Sequence, residues 1–451
     1  MPDARAILPL ALLLAGPATG LAPAVAGAAG AWTTYQRAQQ YTDVLVRGDT
    51  VWLASSEAAL QRFPRATGAF EVIAREPGRL VSHALSALEF DRSGRLWIGT
   101  EDAGVSRLSA DGRAWDLVSQ LDGLPAGPVN VLRAVGDTLL IGTDNGIALW
   151  DGDEIAGTVP EGVNPSPLPS NAVTGAVLSG DSLWLATRKG LVVSRASTGL
   201  ATWTLADPLF ANVEVTGLGW DGTTLVAVAG DSAWVLDAGA WVLRGGIGAV
   251  LRVSDHGGTI LASTTLGVYL WEAGGWSAVA GAPPSQDCVP ANDPHCTGVA
   301  AGAVDAAGGL WVASRDGLHQ REGEGWTLHA PDAPVGNDVQ NVLVQGSRLY
   351  VATFDEGVGR FDGTRWRNWS SGTCYAGCDT TFRNSIYAFA LMVDQQGRKW
   401  VGNWSSAIES FDDDVSPPQF VHYRPADTIS VDKHTFAWSA AADSGGGRWL
   451  G

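Results

Sequence analysis

The sequence predicts an all-β protein, a β-propeller of four-stranded blades, and three observations lead to this fold class. A short apolar motif recurs ten times along the chain, at intervals of 35 to 51 residues. A period in this range with strand-like units is typical of propeller blades. The 451 residues include 57 glycines and 20 tryptophans, and only 17% are charged. Such a composition suits tightly turned sheets with large aromatic side chains packed between them.

The motif is a strand centred on a large residue and followed by a small one. Its clearest copies are LWIGT at 96–100, LWLAT at 183–187 and LWVAS at 310–314. Weaker copies centre on Trp52, Leu140, Leu225, Ile260, Tyr350, Trp400 and Trp449. We interpret the large residue as a wedge against the neighbouring blade, and the small residue after it as room for the next sheet to approach.

Each repeat divides into four predicted strands. An apolar stretch such as 173–178 comes first, and a turn such as DRSG at 91–94 leads to the motif strand. A loop closing on glycine precedes the third strand, and a second tryptophan opens the fourth. These second tryptophans are Trp115, Trp203, Trp241, Trp276, Trp326 and Trp366. The glycines fit turns that need positive φ, and the short apolar runs fit sheets buried on both faces.

Several repeats resemble the two-component-regulator propeller repeat. The resemblance is carried by LPSNAV at 168–173 with Gly190-Leu191, and by Leu124-Pro125 with IGT at 141–143. It implies paired seven-bladed propellers, as in sensor regions of hybrid histidine kinases that detect polysaccharide fragments. The segment 32–56 is also similar to the start of the surface propeller protein of the type IX secretion system.

With seven blades per propeller, the seven motifs from Trp52 to Trp311 predict a first propeller at 32–335. The motifs at Tyr350, Trp400 and Trp449 then predict a second, truncated propeller at 336–451. Trp32 resembles the tryptophans that open the fourth strands, so the chain is expected to begin with the last strand of a blade. A single ten-bladed ring is the alternative.

Residues 1–26 predict a signal peptide. Arg5 precedes an apolar run at 7–15, and the small residues at 24–26 (AVA) fit a cleavage site. The run is too short to span a bilayer, which disfavours a membrane anchor. The predicted location is therefore periplasmic, cell-surface or secreted.

The four cysteines form two close pairs. In an exported chain we expect the disulfides Cys288–Cys296 and Cys374–Cys378. The alternative is a zinc site made by these cysteines with His295, which needs the two loops to meet in space. The favoured interpretation requires no cofactor.

The formal net charge of −18 bears on partners. An acidic chain repels phosphate backbones, so nucleic acid and direct contact with anionic membranes are disfavoured. The predicted partners are a polysaccharide or oligosaccharide, or a cell-surface protein.

Candidate ligand-binding residues lie in the loops after the motif strands, which share a propeller face with the mouth of the central channel. Mixed carboxylates, amides and cations beside an aromatic ring suit sugar hydroxyls, which both donate and accept hydrogen bonds. The candidates are Glu101, Asp102, Asp144, Asn145, Arg188, Lys189, Arg315, Asp316, Asp355, Glu356 and Trp404. Asn130, Asn171, Asn341 and Asn384 stand near the starts of inner strands. The alternative is that all of these are solvated turn residues.

Two classes of enzyme remain open from the sequence. The turns at 91–94 and 394–397 before a tryptophan resemble the Asp-box of sialidases. The repeats also resemble those of streptogramin-lyase propellers, which use a histidine, an acid and magnesium, and His319 with Glu322 and Glu324 would fill that role. The histidines lie outside any metal-binding spacing such as H-E-x-x-H and away from any G-x-S-x-G elbow. The run at 412–414 is interpreted as a solvated turn. The favoured function is non-enzymatic, a sensor-type ligand-binding module. A type IX secretion scaffold is the first alternative, and a propeller lyase or glycosidase is the second.

Overall fold

A computed structural model gives the fold of the chain. It describes residues 35–37, 40–160, 168–195, 197, 202–255, 258–272, 274–282, 301–314, 317–354, 356–369, 378–379, 387–403, 408–415, 418–423 and 438–450. The predicted signal peptide lies outside these residues. No helix within the described ranges is long and apolar enough to cross a membrane.

Residues 41–329 form seven four-stranded antiparallel sheets, each with its strands in chain order. Sheet 1 contains β1 (Tyr41–Arg47), β2 (Thr50–Ser55), β3 (Leu60–Pro64) and β4 (Glu71–Ile73), and sheet 2 contains β5 (Leu85–Phe90), β6 (Leu96–Thr100), β7 (Val105–Leu108) and β8 (Trp115–Val118). Sheet 3 contains β9 (Val129–Val135), β10 (Thr138–Thr143), β11 (Gly146–Trp150) and β12 (Ile155–Pro160). Sheet 4 contains β13 (Val173–Ser179), β14 (Ser182–Thr187), β15 (Gly190–Arg195) and β16 (Thr204–Leu205). Sheet 5 contains β17 (Val215–Trp220), β18 (Leu225–Ala229), β19 (Ser232–Asp237) and β20 (Ala240–Gly246). Sheet 6 contains β21 (Val250–Ser254), β22 (Leu261–Thr264), β23 (Gly267–Glu272) and β24 (Gly275–Ala278). Sheet 7 contains β25 (Ala301–Val304), β26 (Leu310–Ser314), β27 (Gly317–Glu322) and β28 (Gly325–His329). Two 3₁₀ turns, Gln120–Asp122 and Pro208–Phe210, lie in the connections.

The seven sheets close into a ring around their first strands. Each first strand packs against the first strand of the next sheet, and β25 of sheet 7 packs against β1 of sheet 1. Arg65 of sheet 1 also reaches Asp305 of sheet 7, with 2.9 Å between Nη1 and Oδ2. A ring of four-stranded antiparallel sheets is a β-propeller, so the predicted fold class is confirmed.

Most of the chain after residue 332 belongs to a second compact unit. The contacts within the chain define two units. The ring unit is Ala38–Asp332 with Trp369–Arg383. The second unit is Ala333–Asn368 with Asn384–Gly451, and residues up to Arg37 belong to it. The strands after 332 are β29 (Val339–Gln345), β30 (Arg348–Thr353), β31 (Gly357–Phe361), β32 (Trp366–Trp369), β33 (Cys378–Asp379), β34 (Ala388–Val393), β35 (Lys399–Asn403), β36 (Ile408–Asp412), β37 (Gln419–Tyr423), β38 (Ala440–Ala442) and β39 (Arg448–Leu450).

The start of the described chain packs within this second unit. The Tyr35 ring lies 4.9 Å from the Phe361 ring and 5.6 Å from the Trp366 ring. The backbone N–H of Arg37 donates to Oδ1 of Asn337 at 2.9 Å, and Nδ2 of Asn337 donates back to the Arg37 carbonyl at 2.6 Å. These paired hydrogen bonds place residues 35–37 with the second unit.

The hydrophobic core of the ring lies between neighbouring sheets, as the motif predicts. Trp97 and Trp311 are fully buried. Trp97 packs with the inner residues of sheet 3, and Trp311 packs with those of sheet 1. A Cβ on Gly99, the small residue after Trp97, would lie 2.8 Å from Cγ1 of Val129 in the next sheet. The small residue is therefore required by the close approach of the neighbouring sheet.

The aspartates of the turns before these tryptophans have a structural role. Oδ1 of Asp91 accepts the Arg95 backbone N–H at 3.0 Å, and its Oδ2 accepts the Trp97 indole N–H at 2.8 Å. The same indole-to-carboxylate bond joins Trp311 to Asp305, Trp400 to Asp394 and Trp449 to Asp443. These hydrogen bonds fix the motif tryptophan at one end of its strand. They occur in both turns that resemble the Asp-box, 91–94 and 394–397.

Candidate ligand-binding face of the ring

The loops after the second strands hold several predicted residues at equivalent positions beside the first strands. The backbone N–H groups of Glu101, Asp144 and Arg188 each donate to the carbonyl just before the first strand of the same sheet, at 3.0 to 3.2 Å. These bonds place the three side chains at one end of sheets 2, 3 and 4. The predicted candidates in these loops therefore share one face of the ring.

Asp144 is the centre of a polar cluster on this face. Its Oδ1 accepts from Nδ2 of Asn130 at 2.8 Å and lies 3.3 Å from Nη2 of Arg188 in the neighbouring loop. The Arg188 side chain is 55% exposed and that of Asp144 is 27% exposed. Asn130 also donates to the Val173 carbonyl of sheet 4 at 3.0 Å, which fixes the cluster to the first strands. The result is a donor and an acceptor held together at the surface.

Glu101 and Asp102 form a second, acidic part of the face. Both residues are exposed. Partial burial and the neighbouring Asp102 raise the pKa of the Glu101 carboxyl. Burial and the positive charge of Arg75 lower the pKa of His83, whereas Asp102 acts in the opposite direction. Two carboxylates and an imidazole are therefore near one another at the loop of sheet 2.

The other predicted residues divide into three groups. Asn145 is half-buried and Lys189 is exposed, beside Asp144 and Arg188 respectively. Glu356 belongs to the second unit and is only 2% exposed. The predicted residues outside the described ranges are Arg315, Asp316, Asp355, Trp404, Cys288, Cys296 and Cys374. For Cys378 only the backbone, in β33, is described, so both disulfides and the zinc alternative remain predictions.

A polar cavity of about 110 Å³ lies on the ring axis, lined by the first strands of sheets 1 to 6. Asn130 lines it and so links the cavity to the Asp144 cluster. Liquid water occupies about 30 Å³ per molecule, so the space holds a few waters. Sites for small organic ligands are several times larger, on the order of 300 Å³ or more. A sugar would therefore have to bind on the exposed face, above the axis.

Two arginines form ion pairs across the axis. Nη2 of Arg252 in sheet 6 lies 2.5 Å from Oδ2 of Asp43 in sheet 1, and Nη2 of Arg133 in sheet 3 lies 2.7 Å from Oδ1 of Asp255, just after β21 of sheet 6. Burial alone would lower the pKa of Arg133, but the carboxylates of Asp255 and Glu89 raise it above its usual value.

The carboxylates of this network also join neighbouring sheets through backbone groups. Oδ2 of Asp43 accepts the Leu88 N–H of sheet 2 at 2.8 Å, and Oδ2 of Asp255 accepts the Trp220 N–H of sheet 5 at 3.1 Å. Sequence analysis did not single out these residues. The sequence marks these residues only as charged side chains within or just after an otherwise apolar first strand. An acidic protein of this length has charged residues in similar positions elsewhere, so this mark alone does not identify the network.

Two of the three sequence-derived catalytic candidates, His319 and Glu322, are bonded within the fold, and Glu324 is exposed. His319 is 7% exposed, and its Nε2 lies 2.8 Å from Oγ of Ser314. Burial, with a contribution from His329, lowers its pKa to about 4. Glu322 accepts from the Thr327 hydroxyl at 3.0 Å. Among the described residues, no group of three or more His, Cys, Asp or Glu side chains is placed to hold a metal ion.

The interpretation of 412–414 as a solvated turn is wrong for Asp413, whose side chain is fully buried. Its Oδ1 lies 2.6 Å from Nζ of Lys399, which is fully buried too, and its Oδ2 lies 2.6 Å from Nη1 of Arg360. The Tyr350 hydroxyl donates to the same carboxylate at 3.1 Å. Burial would raise the pKa of Asp413, but the bonds from Lys399 and Arg360 lower it. Paired in this way, a buried carboxylate keeps its charge.

Comparison with solved structures places the fold among known propellers. PorZ, an essential surface component of the type IX secretion system of Porphyromonas gingivalis, is 19% identical; the similarity covers 93% of this chain and 57% of PorZ, with a TM-score of 0.71. An ancestral GH74 enzyme is 13% identical over 91% of this chain and 65% of its own, with a TM-score of 0.66. The extracellular domain of the putative one-component system BT4673 from B. thetaiotaomicron is 14% identical over 92% of this chain and 64% of its own, with a TM-score of 0.49.

These similarities show a β-propeller fold. The similar structures include PorZ, a component of the type IX secretion system, to whose surface propeller protein the segment 32–56 shows a resemblance. No known family profile matches the sequence, and no curated protein is similar to it. The chain spans 57% to 65% of the length of the three solved proteins described above.

Proposed function

We propose that this propeller is an extracytoplasmic, non-enzymatic module that binds a carbohydrate or a surface partner, as a ligand-binding sensor does. The observation that carries the proposal is the Asn130, Asp144 and Arg188 cluster, where a guanidinium and a carboxylate reach solvent beside the axial cavity that Asn130 lines. Paired donors and acceptors of this kind are what sugar hydroxyls require. The predicted signal peptide at 1–26 supports the extracytoplasmic location, as do the surface and extracellular proteins with similar structures.

The domain organisation belongs to the same proposal. We take the ring unit as the first propeller, which corresponds to the predicted domain at 32–335 with two differences. Residues 35–37 and 333–335 belong to the second unit, and Trp369–Arg383 belong to the ring unit. The sheets after residue 336 begin a second propeller.

Two alternatives are supported by specific similarities. The PorZ similarity favours a scaffold at the cell surface associated with type IX secretion. The GH74 similarity keeps a glycosidase open. The buried position of His319 and the bonding of the turn aspartates Asp91 and Asp394 to tryptophan N–H groups support the binding function over the enzymatic one.

The test is glycan-array binding by the mature chain, followed by calorimetry on any glycan that binds. We expect Asp144→Ala with Arg188→Ala to weaken binding at least tenfold. The matched control is Arg92→Ala with Asp137→Ala, an exposed ion pair of the same 3.3 Å length in turns at the other end of the sheets. The function is wrong if no glycan binds and cell-surface extracts retain no partner on the immobilised chain. The site is wrong if the control weakens binding equally.

A further inference from the structure

Four aromatic rings form a continuous run in the second unit. Phe354 directly follows β30, Tyr387 and Phe389 flank the start of β34, and Trp438 precedes β38. The Phe354 N–H donates to the carbonyl just before β29 at 2.9 Å, as the loop residues of the ring unit do. The run therefore lies at the end of these sheets that carries the loops after the second strands.

The four rings pack in series. The ring centroids are 5.0 Å apart between Tyr387 and Phe354, 5.4 Å between Phe354 and Phe389, and 4.5 Å between Phe389 and Trp438. Such separations are typical of favourable aromatic pairs. Each ring is thus supported by a neighbour, which reduces the entropy lost when a ligand fixes it.

Exposure separates the two outer rings, Tyr387 and Trp438, from the inner ring of Phe389. Trp438 is 57% exposed and Tyr387 is 38% exposed, whereas Phe389 is 6% exposed. By contrast, the motif tryptophans Trp97 and Trp311 are fully buried. Trp438 also stands at neither of the two tryptophan positions of the repeat. More than half of Trp438 therefore remains accessible to a ligand.

We propose that Trp438 and Tyr387 are a stacking platform for the pyranose rings of a neutral polysaccharide, an inference that rests on the proposed carbohydrate-binding function. A pyranose presents a face of C–H groups that packs on an aromatic face, while its hydroxyls remain hydrated at the edges. The net charge of −18 disfavours an anionic polymer near this surface, which selects a neutral one.

The test is calorimetric titration of the full mature chain with neutral glucose, xylose and mannose hexasaccharides. At least one should bind, and Trp438→Ala and Tyr387→Ala should each weaken its binding at least fivefold, with Trp438→Phe in between. The matched control is Trp449→Ala, which removes a 67% exposed tryptophan of the β38–β39 sheet that lies outside the aromatic run. Circular dichroism and urea unfolding of every variant establish that each is folded.

The outcomes separate this inference from the proposed function. The platform is wrong if Trp438→Ala and Tyr387→Ala bind as the wild type does, or if Trp449→Ala weakens binding as much. It is also wrong if only charged glycans bind, or if a proline-rich peptide binds in place of any sugar. If glycan binding depends on Asp144 and Arg188 but not on Trp438 or Tyr387, the platform is wrong and the proposed function is supported. If no glycan of any kind binds, both the platform and the proposed carbohydrate binding are wrong.

Discussion

At the scale of single residues, several polar side chains in the core are held by specific partners. His319 is the clearest example, because its ring is buried in sheet 7 and bonded to Ser314. A histidine held in this way folds in its neutral form, because burial penalises the imidazolium. Its burial therefore links the stability of the ring to pH.

We expect the free energy of unfolding to fall as pH falls from 6.5 to 4. The folded pKa of His319 is about 4 and its ordinary value is 6.5, so the unfolded chain binds more protons in this window. The contribution is complete above pH 6.5 and amounts to about 3 kcal/mol. Urea unfolding of the wild type and His319→Gln between pH 4 and 7 measures it. Equal pH slopes for the two proteins would contradict the assignment.

At the scale of elements, a bulge in the first strand joins neighbouring sheets. The second residue of each of the strands β1, β5, β9 and β13 bulges out of the pairing with the second strand of the same sheet. The skipped residues Thr42, Ser86, Asn130 and Thr174 each donate to the first-strand carbonyl of the next sheet, at 2.5 to 3.0 Å. In sheet 6 the equivalent residue is Leu251, whose apolar side chain cannot donate.

The spacing between neighbouring sheets gives a prediction at the same scale. Gly99→Ala should destabilise the chain by about 1–3 kcal/mol, because its Cβ would lie 2.8 Å from Val129 in a core that resists overpacking. Gly157→Ala is the matched control in the outer strand β12, where a Cβ meets no atom within 4 Å. We expect it to be neutral or stabilising by less than about 1 kcal/mol. Chemical unfolding of both variants compares them, and equal losses would refute the close-approach argument.

At the scale of the whole ring, closure depends on groups far apart in sequence. Sheet 7 meets sheet 1 through a shared hydrophobic cluster and the Arg65–Asp305 ion pair. Across the axis, Arg252 and Asp43 are 209 positions apart. Such contacts form only when all the sheets are in place, so they couple the sheets into one cooperative unit.

Loss of the axial ion pair should therefore destabilise the ring strongly. Arg252→Met leaves the Asp43 carboxylate, 2% exposed, without its cation, and we expect a loss of about 3 kcal/mol. Adding Asp43→Asn should restore part of this loss, because the buried carboxylate left without its cation is then replaced by a neutral amide. Arg62→Met, which removes a pair with Glu71 that is more than 40% exposed on both sides, should change stability by less than about 0.5 kcal/mol. Urea unfolding of the four proteins tests this, and a loss for Arg252→Met no larger than for Arg62→Met would refute it.

The sequence by itself determined the strands, their order within each sheet and the wedge between sheets. The motif LWVAS at 310–314 coincides with β26, and Gly99 is small for the predicted reason. These features follow from local periodicity and from a packing requirement repeated in every sheet. The predicted face was found in the same way, since Asp144 and Arg188 follow equivalent strands.

Only the tertiary structure decided which charged residues meet. Asp413 follows a strand at a position that suits a solvated turn, yet the fold buries it between Lys399 and Arg360. Asp43 and Arg252 carry no local sign of their pairing across the axis. Strand patterns are local because each residue's face is set by its immediate neighbours, whereas an ion pair depends on where the ring brings distant strands together.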